Sequence, residues 1–381
     1  MCEPRAQSIN VASGDDRQEL SSPVSINPNG ITPGLFAHAP LSPPAPEDLY
    51  FSEAQEAWVL SRHRDVLAAL RSTHLAQARP PKTSAHLSAK PDREKCCFAV
   101  ANGWIHSEVI TALQDAQTSE RQREINAWAS ALLEPLLKDR PVDLAAQFFR
   151  PWCLASAVAL TGVKPAHTER LGQLVKYLSE SDRSPHELDV KHRAKEANKE
   201  LDRYLVRPGA SHAKSMFLGI AQTVPYFLAS AWAALLQHPP QVKQLQKHPG
   251  WMLKATEELL RYAGPVHTLF RRADRDLDIG GTKIKSGDRL ILRLRSANRD
   301  PQQFPDPNRL DFTRDVAGHL ALSSGSHYCV GASLVRTMTA MATQAILTRY
   351  AEPRLSNAVE WCCGTMLIWP SSLPVLLGNA T

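Results

Sequence analysis

The sequence lacks the patterns of several common protein classes. Its seven cysteines include no Cys-x-x-Cys pair of the kind that binds zinc or exchanges disulfides, and an odd count argues against a disulfide framework. The first ten residues carry Glu3, Arg5 and Gln7 without an apolar core, which argues against a secretory signal. These absences predict a cytoplasmic protein, since the cytosol keeps thiols reduced.

Clustered charge of one sign is also missing. The chain holds 44 Lys and Arg against 38 Asp and Glu, a net charge of +6, and the basic residues are scattered instead of forming a run. We therefore expect no nucleic-acid partner. The excess is enough for one basic face that attracts an acidic protein. Hydrophobic content of 43% and charged content of 22% are typical of a globular chain with a large core.

The chain divides into an irregular beginning and a regular body. Eight prolines fall among the first fifty residues, so we predict an irregular, proline-rich arm over residues 1–48 and a single domain over residues 49–381. Apolar residues at helical spacing predict helices through most of the body, one of them opened by a capping box from Ser119 to Gln122. Short strands are predicted around Leu277–Ile279 and Leu290–Leu292. The fold class predicted is mainly α with small β-sheets.

The run from Met216 to Leu236 contains no charged residue and is long enough to cross a bilayer. A membrane span is therefore one interpretation. The other is a helix buried in a large protein core, since a helix that is apolar all round fits either setting. Polar residues within the run, Gln222 and Thr223 among them, together with Pro225, favour the buried helix and no membrane span.

A loop rich in small residues delivers a single cysteine, Cys329, to the start of an apolar helix. Helix N-termini lower the pKa of a thiol, so Cys329 is predicted to persist as a thiolate that binds iron. Gly325 and Gly331 are predicted to let the main chain pass close to a flat macrocycle. A lone cysteine can also be no more than a small buried hydrophobe.

This loop resembles the haem-ligand loop of the cytochrome P450 family, Phe-Gly-x-Gly-x-His-x-Cys-x-Gly. Gly325, His327, Cys329 and Gly331 match, while Leu322 and Ser323 replace the phenylalanine and the first glycine. The resemblance implies a P450-like fold with haem b between the long buried helix and the Cys329 loop. It also implies that Cys329 is the metal ligand and that Leu322 shields its sulfur.

Further motifs follow in the family's order. Glu258 and Arg261 fit the Glu-x-x-Arg pair, and the resemblance implies that they hold the loop beneath the haem, although such pairs are also common as solvated salt bridges. Arg271 and His327 are implied to bind haem propionates, with exposed polar residues as the alternative. His106 is a weaker propionate candidate, because Ile110 stands where the family has an arginine.

In the buried helix the family places an acid and a threonine beside the oxygen site, and here the pair reads Gln222-Thr223. Thr223 is implied to assist proton delivery to bound oxygen. Gln222 does not titrate, so protons would need water chains or another group. Pro225 should accentuate a kink. The substrate pocket implied by the resemblance is lined by Phe217, Ile220, Ala221, Tyr226, Val266, His267 and Leu269.

The activity implied is haem-thiolate monooxygenation of a small hydrophobic or aromatic natural product, with O2 and with electrons from a separate ferredoxin or flavodoxin, for which Arg336 is a docking candidate. The first alternative is an atypical member that uses peroxide, couples or rearranges its substrate, because Gln222 replaces the acid. The second alternative is a haem-binding sensor or carrier without turnover.

Overall fold

Helices make up most of the regular structure in the described parts of the chain, as the apolar spacing predicted. A computed structural model describes residues 34–36, 47–78, 107–136, 140–184, 187–206 and 212–378. The α-helices in these ranges are α1 His63–Arg71, α2 Ser107–Asp115, α3 Ser119–Leu133, α4 Arg150–Leu160, α5 Thr168–Arg183, α6 Leu188–Leu205, α7 Ala213–Leu218, α8 Val224–Leu236, α9 Pro239–Lys247, α10 Met252–Ala263, α11 Leu294–Ala297 and α12 Ala332–Leu347.

Short strands form small sheets against these helices. The strands are β1 Gly34–Phe36, β2 Tyr50–Ser52, β3 Ala57–Leu60, β4 Leu75–Gln77, β5 Val142–Asp143, β6 Thr268–Ala273, β7 Leu277–Ile279, β8 Thr282–Ile284, β9 Arg289–Arg293, β10 Arg354–Leu355, β11 Trp361–Cys363, β12 Ile368–Pro370 and β13 Pro374–Leu376. The largest sheet has the order β2-β3-β9-β6-β4, and two three-stranded sheets have the orders β1-β11-β12 and β10-β13-β5. The predicted fold class, mainly α with small sheets, is confirmed.

The uncharged run lies inside the protein. Helices α7 and α8 and the turn between them form one continuous helix from Ala213 to Leu236, and 78% of its most apolar stretch is buried by the rest of the chain. Every residue of α8 is buried. The run therefore has the burial of a core helix.

A widened turn interrupts this helix at Gly219–Thr223, where the chain forms a π-turn. The N–H of Val224 bonds the carbonyl of Gly219, five residues back. Pro225 follows at the start of α8 and has no N–H to continue the regular ladder. The distortion predicted from Pro225 is thus a local π-turn just before the proline, a feature often found at functional sites.

Two local predictions differ from the structure. Thr118, not Ser119, caps α3, because the Thr118 side chain accepts a hydrogen bond from the N–H of Arg121. The helix begins at Ser119, one residue earlier than a cap at Ser119 would allow, so Gln122 does not complete a capping box. Within the predicted irregular arm, Gly34–Phe36 pairs with β11 as strand β1. The division of the chain at residue 48 remains a prediction.

Candidate functional site

The Cys329 loop is fixed by backbone bonds on both sides of the cysteine. The N–H of Cys329 donates to the carbonyl of Leu322 at 2.9 Å, and the N–H of Ala332 donates to the carbonyl of Cys329 at 3.2 Å. Helix α12 begins at Ala332 with Gly331 as its N-cap. The sulfur therefore lies at the positive end of α12, as predicted, and Cys329 is half-buried.

Opposing influences act on the pKa of the Cys329 thiol. Burial raises the pKa of the Cys329 thiol above its ordinary value, while a bond from the N–H of Gly331 and the charge of Arg336 lower the pKa by less. The helix end does favour the thiolate, but desolvation outweighs it. A cation at the sulfur would reverse the balance, since metal binding deprotonates a coordinating thiol.

Ser323 adopts a backbone conformation that normally calls for glycine. Its φ is +64°, in the left-handed region where a Cβ is strained. This is the position at which the motif of the resembled family has its first glycine, so the replacement leaves the backbone path intact at the cost of strain. The Ser323 hydroxyl is buried and has no hydrogen-bond partner among the residues that the structure describes.

Close packing against α1 leaves no room for a Cβ at Gly325. Its φ is +68°, and a Cβ there would lie 2.8 Å from the carbonyl oxygen of Leu70. Contact with α1 is therefore one reason for glycine at this position, and close approach to a flat macrocycle stays a prediction. At Gly331 the described atom nearest to an added Cβ is the Cys329 sulfur, 3.9 Å away, which leaves room beside the thiol.

Three polar side chains meet next to this loop, and we call them the polar corner: Gln77, Arg271 and His327. Gln77 on β4 and Arg271 on β6 are register partners, and the Gln77 amide lies 3.0 Å from Nδ1 of His327. Arg271 is buried, with 3% exposure. Burial lowers the pKa of His327, and the nearby charge of Arg271 lowers it further.

The polar corner fits the carboxylates of a haem. Oε1 of Gln77 is buried and has no hydrogen-bond partner in the described part of the chain. A 180° rotation of the amide group would let Oε1 accept a hydrogen bond from His327 and would free the amide nitrogen to donate to a ligand. A buried guanidinium, an imidazole and an amide together form a site for an anion with two oxygens. A thiol on an adjacent tight loop supplies a ligand for iron. Sequence reasoning missed Gln77, whose signal was only its place in a short strand.

Glu258 and Arg261 form a buried ion pair on α10. Nε and Nη2 of Arg261 donate to the two carboxylate oxygens of Glu258 at 2.6 and 2.8 Å, and both side chains are about 1% exposed. Arg261 also donates to the carbonyls of Asn298 and Pro307. A pair with this burial and these partners is not a solvated salt bridge, and it ties α10 to the segment that leads into the Cys329 loop.

A second ion pair lies beside the loop. Nε and Nη2 of Arg336 on α12 donate to the carboxylate of Glu257 at 2.5 and 3.0 Å, and Nη1 donates to the hydroxyl of Tyr328 at 3.2 Å. His319 lies 3.2 Å from the same carboxylate. Arg336, suggested as a docking residue for an electron donor, is thus already engaged by Glu257.

On the buried helix, Gln222 is bonded across to α5. Its amide donates to Oδ2 of Asp182 at 3.0 Å and lies 3.5 Å from the hydroxyl of Ser179. Thr223 is the next residue and is half-buried. Burial raises the pKa of Asp182 to about 6, and the bond from Gln222 opposes the rise. Sequence reasoning missed Asp182, forty residues before Gln222.

The predicted pocket residues fall into two groups. Phe217, Ile220, Ala221 and Tyr226 are buried in the long helix, and the Tyr226 ring stacks on Trp369 of β12 with centroids 4.4 Å apart. Val266 and Leu269 are half-buried. His267 has both ring nitrogens occupied, by the hydroxyl of Thr268 and the carbonyl of Gly364, and burial lowers its pKa to about 4.

His267 is therefore a neutral histidine satisfied within the protein, and the structure does not support its predicted use in orienting a substrate. His106, the weaker propionate candidate, lies outside the described residues.

Comparisons with known proteins agree with this geometry. The sequence pattern of the family described as "Cytochrome P450" matches residues 235–353, which include the Glu258–Arg261 pair and the Cys329 loop. Cytochrome P450 monooxygenase PikC of Streptomyces venezuelae is 37% identical over 158 residues, a match that covers 40% of this chain and only 38% of that protein. Nocardicin C N-oxygenase of Nocardia uniformis subsp. tsuyamanensis is 28% identical over 84% of this chain and 89% of that protein.

Solved structures share the fold. A mutant of P450 EryK in complex with erythromycin B superposes with a TM-score of 0.71 at 21% identity, covering 88% of this chain and 94% of that one. P450BioI in complex with an acylated acyl carrier protein gives a TM-score of 0.72 at 21% identity over 86% of this chain and 94% of that one. The chain thus has the fold of these cytochrome P450 structures, and its residues 235–353 match the sequence pattern of that family.

Proposed function

We propose that this chain is a haem-thiolate monooxygenase that oxidises a small hydrophobic or aromatic natural-product-type molecule, using O2 and electrons from a separate ferredoxin or flavodoxin in the cytoplasm. The observation that carries the proposal is the combination of the Cys329 sulfur at the start of α12 with the polar corner beside it. A named relative supports oxygenation of natural products, since 6-deoxyerythronolide B hydroxylase of Saccharopolyspora erythraea is 37% identical over 36% of this chain.

Residues of this chain would hold the cofactor, haem b, from two directions. Cys329 would ligate the iron, and the N–H of Gly331 would stabilise its thiolate. Arg271, His327 and Gln77 would bind a propionate through charge-assisted hydrogen bonds. When bound, thiolate-ligated haem supplies the oxidative chemistry, because thiolate donation favours O–O cleavage.

The remaining residues prepare the site. Leu322, buried at 7% exposure, would shield the sulfur from water, and the Glu258–Arg261 pair would keep the loop in place. The π-turn at Gly219–Thr223 would present the Thr223 hydroxyl to distal water and help to pass protons. Phe217, Ile220 and Ala221 would give the substrate an apolar wall.

The absorption spectrum of the reduced carbonyl complex tests the proposal. The wild-type protein should show the thiolate-type band, and Cys329→Ser should lose that band while the fold persists. Cys153→Ala, which changes a cysteine buried elsewhere in the core, should keep it. A wild-type protein that binds no haem on reconstitution, or a Cys329→Ser protein with an unchanged band, would contradict the proposal.

Gln222 favours a second candidate function. Its amide does not titrate, whereas the resembled family has an acid at this position. In this alternative the protein uses peroxide or performs a coupling or rearrangement that needs no proton supply. Product formation with O2 and a reduced carrier, compared with product formation with peroxide alone, separates the two. Ligand-induced spin shifts without any product would favour a sensor or carrier.

A further inference from the structure

The carboxyl group of Asp182 lies next to Gln222, the position of the buried helix at which the resembled family has an acid. Oδ2 of Asp182 on α5 accepts the bond from the Gln222 amide at 3.0 Å, and Ser179, one turn earlier on α5, lies 3.5 Å from the same nitrogen. Gln222 precedes Thr223 in the π-turn, and consecutive side chains on a helix point in different directions around its axis. Gln222 therefore points to α5, and Thr223 points in another direction around the helix axis.

Asp182 lies in a closely packed setting. Its backbone carbonyl would lie 2.9 Å from a Cβ added to Gly364, in the turn between β11 and β12. Tyr226, one helical turn after Gln222, is close enough for the charge of Asp182 to contribute to its pKa, which burial raises first. Asp182 is half-buried, and it lies where α5, the buried helix and the β11–β12 turn come together.

The charged groups near Asp182 do not form an ion pair with its carboxyl group. Arg150 of α4 and Arg183 of α5 lie near Cys362 of β11 and lower its pKa, while Glu360 raises it. Arg150 donates to the carbonyl of Ser371. Within the described ranges, no cation forms a salt bridge with Asp182, and burial and the Gln222 bond are what shift its pKa.

We propose that Asp182 supplies from α5 the titratable carboxyl that the buried helix lacks, and that Gln222 links it to the oxygen site. The inference rests on the monooxygenase function proposed above. The O–H bond of Asp182 breaks, and the proton passes through water held by the Gln222 amide toward the Thr223 hydroxyl. The carboxylate then takes a proton from bulk solvent, so no electrons are exchanged and the group is restored. Asp182 is a positioning and relay residue, since it acts through Gln222.

The pKa agrees with this role. A value of about 6 means that the carboxyl holds a proton for an appreciable fraction of the time near neutral pH and can also release it, which suits a proton donor and acceptor. An ordinary exposed aspartate, with a pKa near 3.8, would be almost fully ionised there.

The test exchanges the carboxyl group of Asp182 and the amide group of Gln222 between the two positions. Asp182→Asn keeps an amide-sized partner for Gln222 but cannot titrate, and should lower product formed per electron consumed by about tenfold or more. It should also change the solvent isotope effect. The double variant Asp182→Asn with Gln222→Glu returns a carboxyl to the same contact from the other side and should recover most of the loss. Glu180→Gln, the matched control on α5, should behave as wild type.

An infrared pH titration gives a readout that does not depend on turnover. The wild-type protein should show a protonated carboxyl band that disappears with an apparent pKa of about 6, and Asp182→Asn should lack this band. Unchanged coupling and isotope effect in Asp182→Asn would overturn the relay, even if the infrared band were lost. Failure of the proposed function would look different, because the thiolate-type carbonyl spectrum would then be missing from the wild type.

Discussion

Gln77 and Arg271 lie opposite each other on the antiparallel strands β4 and β6, and the Gln77 amide also contacts the ring of His327. A strand far from the cysteine in sequence therefore completes the group of polar side chains beside the Cys329 loop. Because neighbouring residues of a strand point to opposite faces, Arg271 is buried while Arg272 is exposed. This alternation provides a matched pair of substitutions.

Arg271→Gln should speed haem loss, because a charge-assisted bond to a propionate would be removed. We expect a cost of about 2 kcal/mol, or roughly thirtyfold in haem affinity. Arg272→Gln changes the same residue type on the outer face and should leave affinity unchanged. The measurement is the rate of haem transfer to an excess of apomyoglobin. Equal rates for the two variants would rule out a propionate role for Arg271.

Ser323→Gly should stabilise the protein, since glycine adopts the left-handed backbone without strain and the change removes a buried hydroxyl that no described residue bonds. After the larger unfolded-state entropy of glycine is included, we expect about 1 kcal/mol in the free energy of unfolding. Ser324→Gly is the control, because Ser324 has an ordinary extended φ of −154°, and it should destabilise. Urea unfolding measures both, and a stabilisation shared by the two would contradict the strain argument.

The fold class was predictable because apolar residues recur at helical spacing over long stretches, and the Cys329 loop because its residues are contiguous. Asp182 and Gln77 were not predictable, since each meets its partner only through packing between distant elements. The cap at Thr118 was misplaced by one residue because Ser119 offers a similar hydroxyl. The burial that raises the pKa of the Cys329 thiol was not predictable either, because burial cannot be read from a helix boundary. The thiolate that binds iron stays a prediction.

The stability contributed by Asp182 should depend on pH. Its folded pKa of about 6 lies above the ordinary 3.8, so between these values the folded state binds more protons than the unfolded state, and stability falls as pH rises. Relative to Asp182→Asn, the wild-type protein should lose about 1 kcal/mol from pH 4 to pH 7, reduced by partial solvent exposure. Chemical denaturation of both proteins between pH 4 and pH 7 measures this difference in the free energy of unfolding. If the two proteins showed the same dependence on pH, the raised pKa of Asp182 would be contradicted.

Glu257 should show the opposite dependence. Burial tends to raise its pKa, but bonds from His319 and Arg336 prevail and lower it to about 2. The carboxylate therefore contributes stability above its ordinary pKa of 4.5, and this contribution is lost as pH falls toward 2. Glu257→Gln should cost about 1 kcal/mol at pH 7, since the pair is partly exposed. The exposed control, Glu352→Gln, should have little effect in the same unfolding assay.

Strand β1 pairs Gly34–Phe36 with β11, and the turn after β11 packs on the backbone of Asp182. A shortened protein beginning at residue 48 would expose a row of unpaired amide and carbonyl groups along β11. Such an open edge invites pairing with another molecule. Removal of the proline-rich segment before residue 48 should therefore promote self-association of the protein instead of improving its solubility.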